Sequence, residues 1–133
     1  MTGARWPVDT MQGVPDPGAA AEMAAEVLRA VNHLTIGAPS SGAPGWEDVG
    51  DLYRVLGELR VLTDRLPQGL GQLARHLERP AELGAYQTDS GTSESPERLV
   101  AAAVLALAAA QHLVAEAGSH LDPAHSAVAH LYT

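Results

Sequence analysis

Residues 49–77, VGDLYRVLGELRVLTDRLPQGLGQLARHL, decide the fold. Val49, Leu52, Leu56, Leu59, Leu66, Leu70, Leu73 and Leu77 recur at steps of three and four, and Thr63 stands in the missing rung. Apolar residues so spaced line one side of an α-helix, and that side needs a partner helix. These eight are therefore the candidate core or interface residues. Val55 and Leu62 widen the stripe beyond a two-stranded seam to the broader face of a globular bundle. Pro67 interrupts it. A mid-helix proline removes a hydrogen bond and crowds the preceding turn at about 3 kcal/mol, so either a kinked helix or a break near Leu66 follows. The apolar phase passes through Pro67 unchanged, which favours a kink or a very tight break. Gly50, Gly57 and Gly71 share one column of the helix; they either admit a neighbour closely or simply weaken helix propensity.

Helix starts repeat along the chain. Asp16-Pro17, Ser95-Pro96 and Asp122-Pro123 each place a capping side chain before a proline, a common opening for a helix. The first predicts a helix from Pro17 to about Leu34, with Met23, Val27, Val31 and Leu34 inward. The second predicts one from Pro96 to about Ala117, apolar nearly all round and so buried, with Gly118 as its stop. The third predicts a last short helix with Val128 and Leu131 inward. The ladder helix should start near Trp46, where Glu47 and Asp48 suit the positive end of the helix dipole. Thr35–Gly45 and Pro80–Glu94, rich in Gly, Ser and Pro, read as linkers. The expected fold is all-α, a four- or five-helix bundle with a long, Pro-kinked or broken second helix. Residues 1–16 form a flexible tail and 17–133 a single domain. Trp6 in that tail is the exception, an aromatic suited to docking an arm.

Composition narrows the function. The chain has 133 residues, no Cys and no Phe, so Leu, Val and Ala must fill any core. Absent cysteine excludes disulfides and thiol chemistry and fits a reduced, cytoplasmic setting. The net charge is −8, and every basic residue is Arg. Nucleic acid needs a basic patch, whereas here Glu and Asp interleave with Arg54, Arg60, Arg65, Arg75 and Arg79, so no direct nucleic-acid partner is expected. The N-terminus lacks the apolar stretch of a secretory signal. The greasiest run, Leu99–Ala110, is short of the roughly 20 residues that span a bilayer, so no membrane partner is expected.

No catalytic constellation is legible in the sequence. No G-x-S-x-G elbow, dinucleotide fingerprint or P-loop occurs, and the serines sit in linkers. The nearest metal pattern is His112, Glu116 and His120, at steps of four, but the stop at Gly118 falls between them and no paired spacing occurs on a second helix. His33 and His76 fall near helix ends, where imidazoles satisfy terminal carbonyls. No metal or cofactor is expected.

Leu52-Tyr53-Arg54-Val55-Leu56-Gly57-Glu58-Leu59, Leu66-Pro67-Gln68 and Leu73, followed by an Ala-rich helix ending near Gln111-His112-Leu113, resemble small helical proteins of GC-rich actinobacteria. Such proteins appear on mobile elements or beside regulatory genes. The similarity covers roughly residues 46–131 and implies no activity or site residue. The sequence thus reads as a non-enzymatic helical protein acting by self-association, as a homodimer, and by protein–protein interaction, an adaptor or regulatory accessory. The alternative is a small-molecule-binding helical bundle with a regulatory role.

Overall fold

The computed structural model describes residues 16–132, and all of its regular structure is helical. Three helices occur among them: α1 (Pro17–Leu34), α2 (Val49–Glu82) and α3 (Pro96–Val128). Among the described residues the helix count is therefore three, not four or five. Expectations for the tail, Trp6 included, lie outside the described residues. The chain divides into two compact units between Glu47 and Asp48.

In the first unit, Asp16 caps α1 by accepting from the Ala19 amide at 2.8 Å, with Pro17 at the first helical position. Ala19, Met23, Val27 and Val31 are its half-buried residues, one stripe at every fourth position. After the helix, the Trp46 indole donates to the Gly37 carbonyl at 2.7 Å. The Ser40 amide donates to the Trp46 carbonyl at 3.0 Å, closing the loop on itself.

The second unit is an antiparallel hairpin of two long helices, 34 and 33 residues. Asp48, not Trp46, starts α2: its carboxylate accepts from the Gly50 and Asp51 amides at 2.8 and 3.2 Å. The helix neither breaks nor ends at Pro67, and it continues through Pro80. Pro80 leaves the carbonyl of His76, four residues before it, without its intrahelical donor. The Tyr86 hydroxyl donates to that carbonyl at 3.5 Å. The helix ends in a Schellman motif: the Gly84 amide donates to Ala81 and the Ala85 amide to Pro80, both at 3.0 Å, and Gly84 takes φ +67°. Ser95 then caps α3, as the sequence predicts, accepting from the Arg98 amide at 3.3 Å.

Helix α3 departs from expectation at its far end. Gly118 does not stop it, and Asp122-Pro123 starts no new helix; the helix runs on to Val128 with Pro123 inside. Gly118 has no positive φ. It is instead the one buried residue among those described, because α2 comes too near there for any side chain. Nor is α3 buried: among the described residues no apolar side chain is, and Leu99, Leu105 and Leu113 are 41%, 74% and 62% exposed.

Candidate interaction surface

The hairpin is keyed by glycines. A Cβ on Gly57 would stand 3.0 Å from His125 Nε2, and one on Gly71 3.1 Å from Gln111 Nε2. On Gly118 it would stand 2.9 Å from Thr63 Oγ1 and 3.8 Å from Asp64 Oδ1. Positions 57, 64 and 71 thus meet 125, 118 and 111, each step of seven along α2 matched by seven backward along α3. At each of these three keys a side chain on one helix faces a glycine on the other, and together they set the register. Gly57 and Gly71 are two of the column's three glycines, and close approach is what they supply. Thr63, the missing rung, sits where the helices come nearest. The His125 ring also stacks on Tyr53, centroids 4.0 Å apart and 15° from parallel. Between these keys Arg60 Nε donates to Asp122 Oδ1 at 2.8 Å.

This seam settles which side of α2 meets α3. Contact falls on Tyr53, Gly57, Arg60, Thr63 and Gly71, rotated away from the column of Leu52, Leu59, Leu66 and Leu73. Val49, Leu52, Leu56, Leu59, Leu70 and Leu77 are half-buried, while Leu66 and Leu73 are exposed at 44% and 55%. Leu62, on the neighbouring column, is 42% exposed.

A groove near the loop, lined by Leu77, Tyr86, Pro96, Leu99 and Ala103, shows which columns of the two helices share a side. The seven-residue repeat from Leu77 runs through Leu70, Thr63, Leu56 and Val49 at the seam's edge, and the columns of Leu52, Leu59, Leu66 and Leu73 and of Val55 and Leu62 follow it away from the seam, on the side opposite Glu78. From α3 that side carries Leu99, Leu113 and a run of alanines at 103, 106, 110 and 117. No Asp, Glu or Arg occupies these columns; His76 and His120 are their only ionisable residues. Apart from Arg60 in the seam, the charged residues of α2 lie on its opposite side and back. The hairpin is therefore one layer with one apolar face, and a helical layer of that kind is stable when the face meets another layer. Sequence reasoning missed Leu99 and Leu113 because it took α3 as buried all round. Their spacing through Ala106, seven residues each way, is the signal that they share a column.

Chemical groups do not gather on the hairpin. Among the described residues no three His, Asp or Glu side chains come together as a metal site would need. His112, Glu116 and His120 are each exposed along α3. No protein-family model matches the chain, and comparison with curated proteins and with solved structures finds no similar protein.

Proposed function

We propose that this chain works by self-association and protein binding through the apolar face of the α2–α3 hairpin, as a homodimer of adaptor or regulatory-accessory type. One observation carries the reading: Leu62, Leu66, Leu73, Leu99 and Leu113, 41–62% exposed, lie on one face that holds no carboxylate or guanidinium. Scattered exposed leucines are ordinary, whereas a contiguous apolar patch marks an interaction site. At about 1.5 Å per residue the helices run about 50 Å, and two helices side by side are about 18 Å wide. The face is then roughly 900 Å², matching the ~800 Å² per partner of a standard interface. A second hairpin related by two-fold symmetry is self-complementary to it and completes a four-helix bundle.

Lipid is the weaker partner for this face. By length and composition α3 passes as a membrane-crossing helix, but it is keyed along its length to α2. That helix carries Arg54, Glu58, Arg60, Asp64, Arg65, Arg75, Glu78 and Arg79. Crossing as a hairpin would bury these charges, at a few kcal/mol each. Surface adsorption favours basic helices, and this chain is at −8.

Sedimentation equilibrium at micromolar concentration tests the reading. The expected mass is twice the 13.8 kDa of the chain. Leu73→Glu, and separately Leu113→Glu from the other helix, should each shift the population to monomer. A wild-type chain that sediments at 13.8 kDa with full helix content overturns self-association.

A further inference from the structure

On the other side of the same hairpin, next to the connecting loop, a second groove runs between α2 and α3. Its floor includes Val100 and Val104, Leu105 stands on its α3 wall, and Glu78, Glu82 and Glu97 rim it. Leu105 is 74% exposed, the most exposed leucine within either hairpin helix. None of the three carboxylates forms an ion pair or hydrogen bond within the described residues. No cation lines the groove, and the adjacent Arg98 is turned to Glu94 at 3.4 Å.

We propose that this groove is the docking site for a basic amphipathic helix of a partner protein. Such a helix lays its apolar residues against Val104 and Leu105 and its Lys or Arg residues toward the rim, the helix-in-groove mode of recognition. The spacing fits. Glu78 and Glu82 are one turn apart, about 6 Å along α2, so basic residues four apart on an antiparallel or parallel occupant meet both. Glu97, in the first turn of α3, extends the negative rim around the mouth of the groove. An acidic rim repels anionic lipid headgroups and nucleic-acid phosphates alike, which leaves a basic protein segment as the complementary occupant. This site is separate from the leucine face, and the proposal does not depend on self-association.

A peptide of leucine and lysine, about 14 residues or four turns long and patterned into one apolar and one basic helix face, is a direct probe. It is titrated against the full chain by fluorescence anisotropy. Binding is expected to weaken about tenfold or more in the Glu78→Gln/Glu82→Gln/Glu97→Gln variant, and likewise between about 50 and 500 mM salt. Leu105→Ser should weaken it also, while helix content stays at the wild-type level. The control variant Glu22→Gln/Glu58→Gln/Glu116→Gln changes net charge equally but lies outside the groove, and should bind as the wild type does. The same peptide with glutamate in place of lysine should not bind. The proposal is overturned if the control variant loses as much affinity as the groove variant, since net charge alone then explains binding. It is equally overturned if groove variants bind unchanged while Leu73→Glu abolishes binding, which would place the peptide on the leucine face.

Discussion

Replacing Gly118 with alanine sets two effects of similar size against each other. In a helix interior alanine is favoured over glycine by about 1 kcal/mol. Here, though, the new Cβ would lie 2.9 Å from Thr63 Oγ1, closer than such atoms tolerate, with Thr63 Cβ at 3.4 Å behind it. The hydroxyl is held in place, donating to the Arg60 carbonyl at 2.8 Å. Rotating Thr63 aside sacrifices that bond, a net loss of about 1 kcal/mol. Moving the helices apart instead loosens the keys at Gly57 and Gly71 as well. Overpacking of this kind costs about 1–3 kcal/mol, so it outweighs the propensity gain and Gly118→Ala should destabilise by about 1 kcal/mol. Thr63→Ala alone should be nearly neutral, because up to about 0.7 kcal/mol of helix propensity offsets the lost hydrogen bond. The double variant keeps both propensity gains without the clash, giving a coupling of about 2 kcal/mol in the double-mutant cycle. Urea unfolding followed by circular dichroism measures it, with protein concentration held constant because any association shifts the midpoint. If Gly118→Ala stabilises by about 1 kcal/mol whether or not Thr63 is present, the two helices do not touch there and the register is wrong.

Two further substitutions probe the hairpin's end and its seam. Gly84→Ala, at φ +67° in the Schellman turn, should cost about 1 kcal/mol in the same unfolding assay, since a Cβ is strained in that conformation. A cycle of Arg60→Ala and Asp122→Ala should give a coupling below about 1 kcal/mol that shrinks with added salt, as both side chains are about half exposed.

The helical class was readable from residues 49–77, because three-and-four spacing has no other regular solution. The two Asx or Ser caps followed by proline, at Asp16 and Ser95, were readable for the same local reason: the cap and the proline both act within one turn. Asp122-Pro123 carries the same signal and yet lies inside α3. There the helix is already running when it reaches the proline, and the Asp122 carboxylate is engaged by Arg60 across the seam rather than by amides of its own turn. Gly118 misled in the same way. A glycine after an apolar run reads as a stop, but its function here is set by Thr63 on another helix, which no local pattern reports. The phase of the seam was illegible for a related reason. Leucine spacing shows that α2 has an apolar side, while the glycines that α3 contacts lie on its flank, and only the paired positions 57 with 125 and 71 with 111 reveal that offset.

That offset also explains why the leucine face is left open. A hairpin held by glycine opposite histidine, glutamine and threonine gains register and closeness, but it buries little hydrocarbon, since its keys are small or polar. Apolar area removed from water stabilises by about 25 cal/mol per Å², and the richest supply of it on α2, at Leu59, Leu62, Leu66 and Leu73, points beside the seam rather than into it. Division of labour follows: the seam chooses the partner position on α3, and the leucines hold the larger reserve of stabilisation for whatever covers them. On the proposed dimer, folding and association then draw on the same leucines. The thermal midpoint should accordingly rise with protein concentration, and Leu73→Glu should remove that dependence together with the dimer.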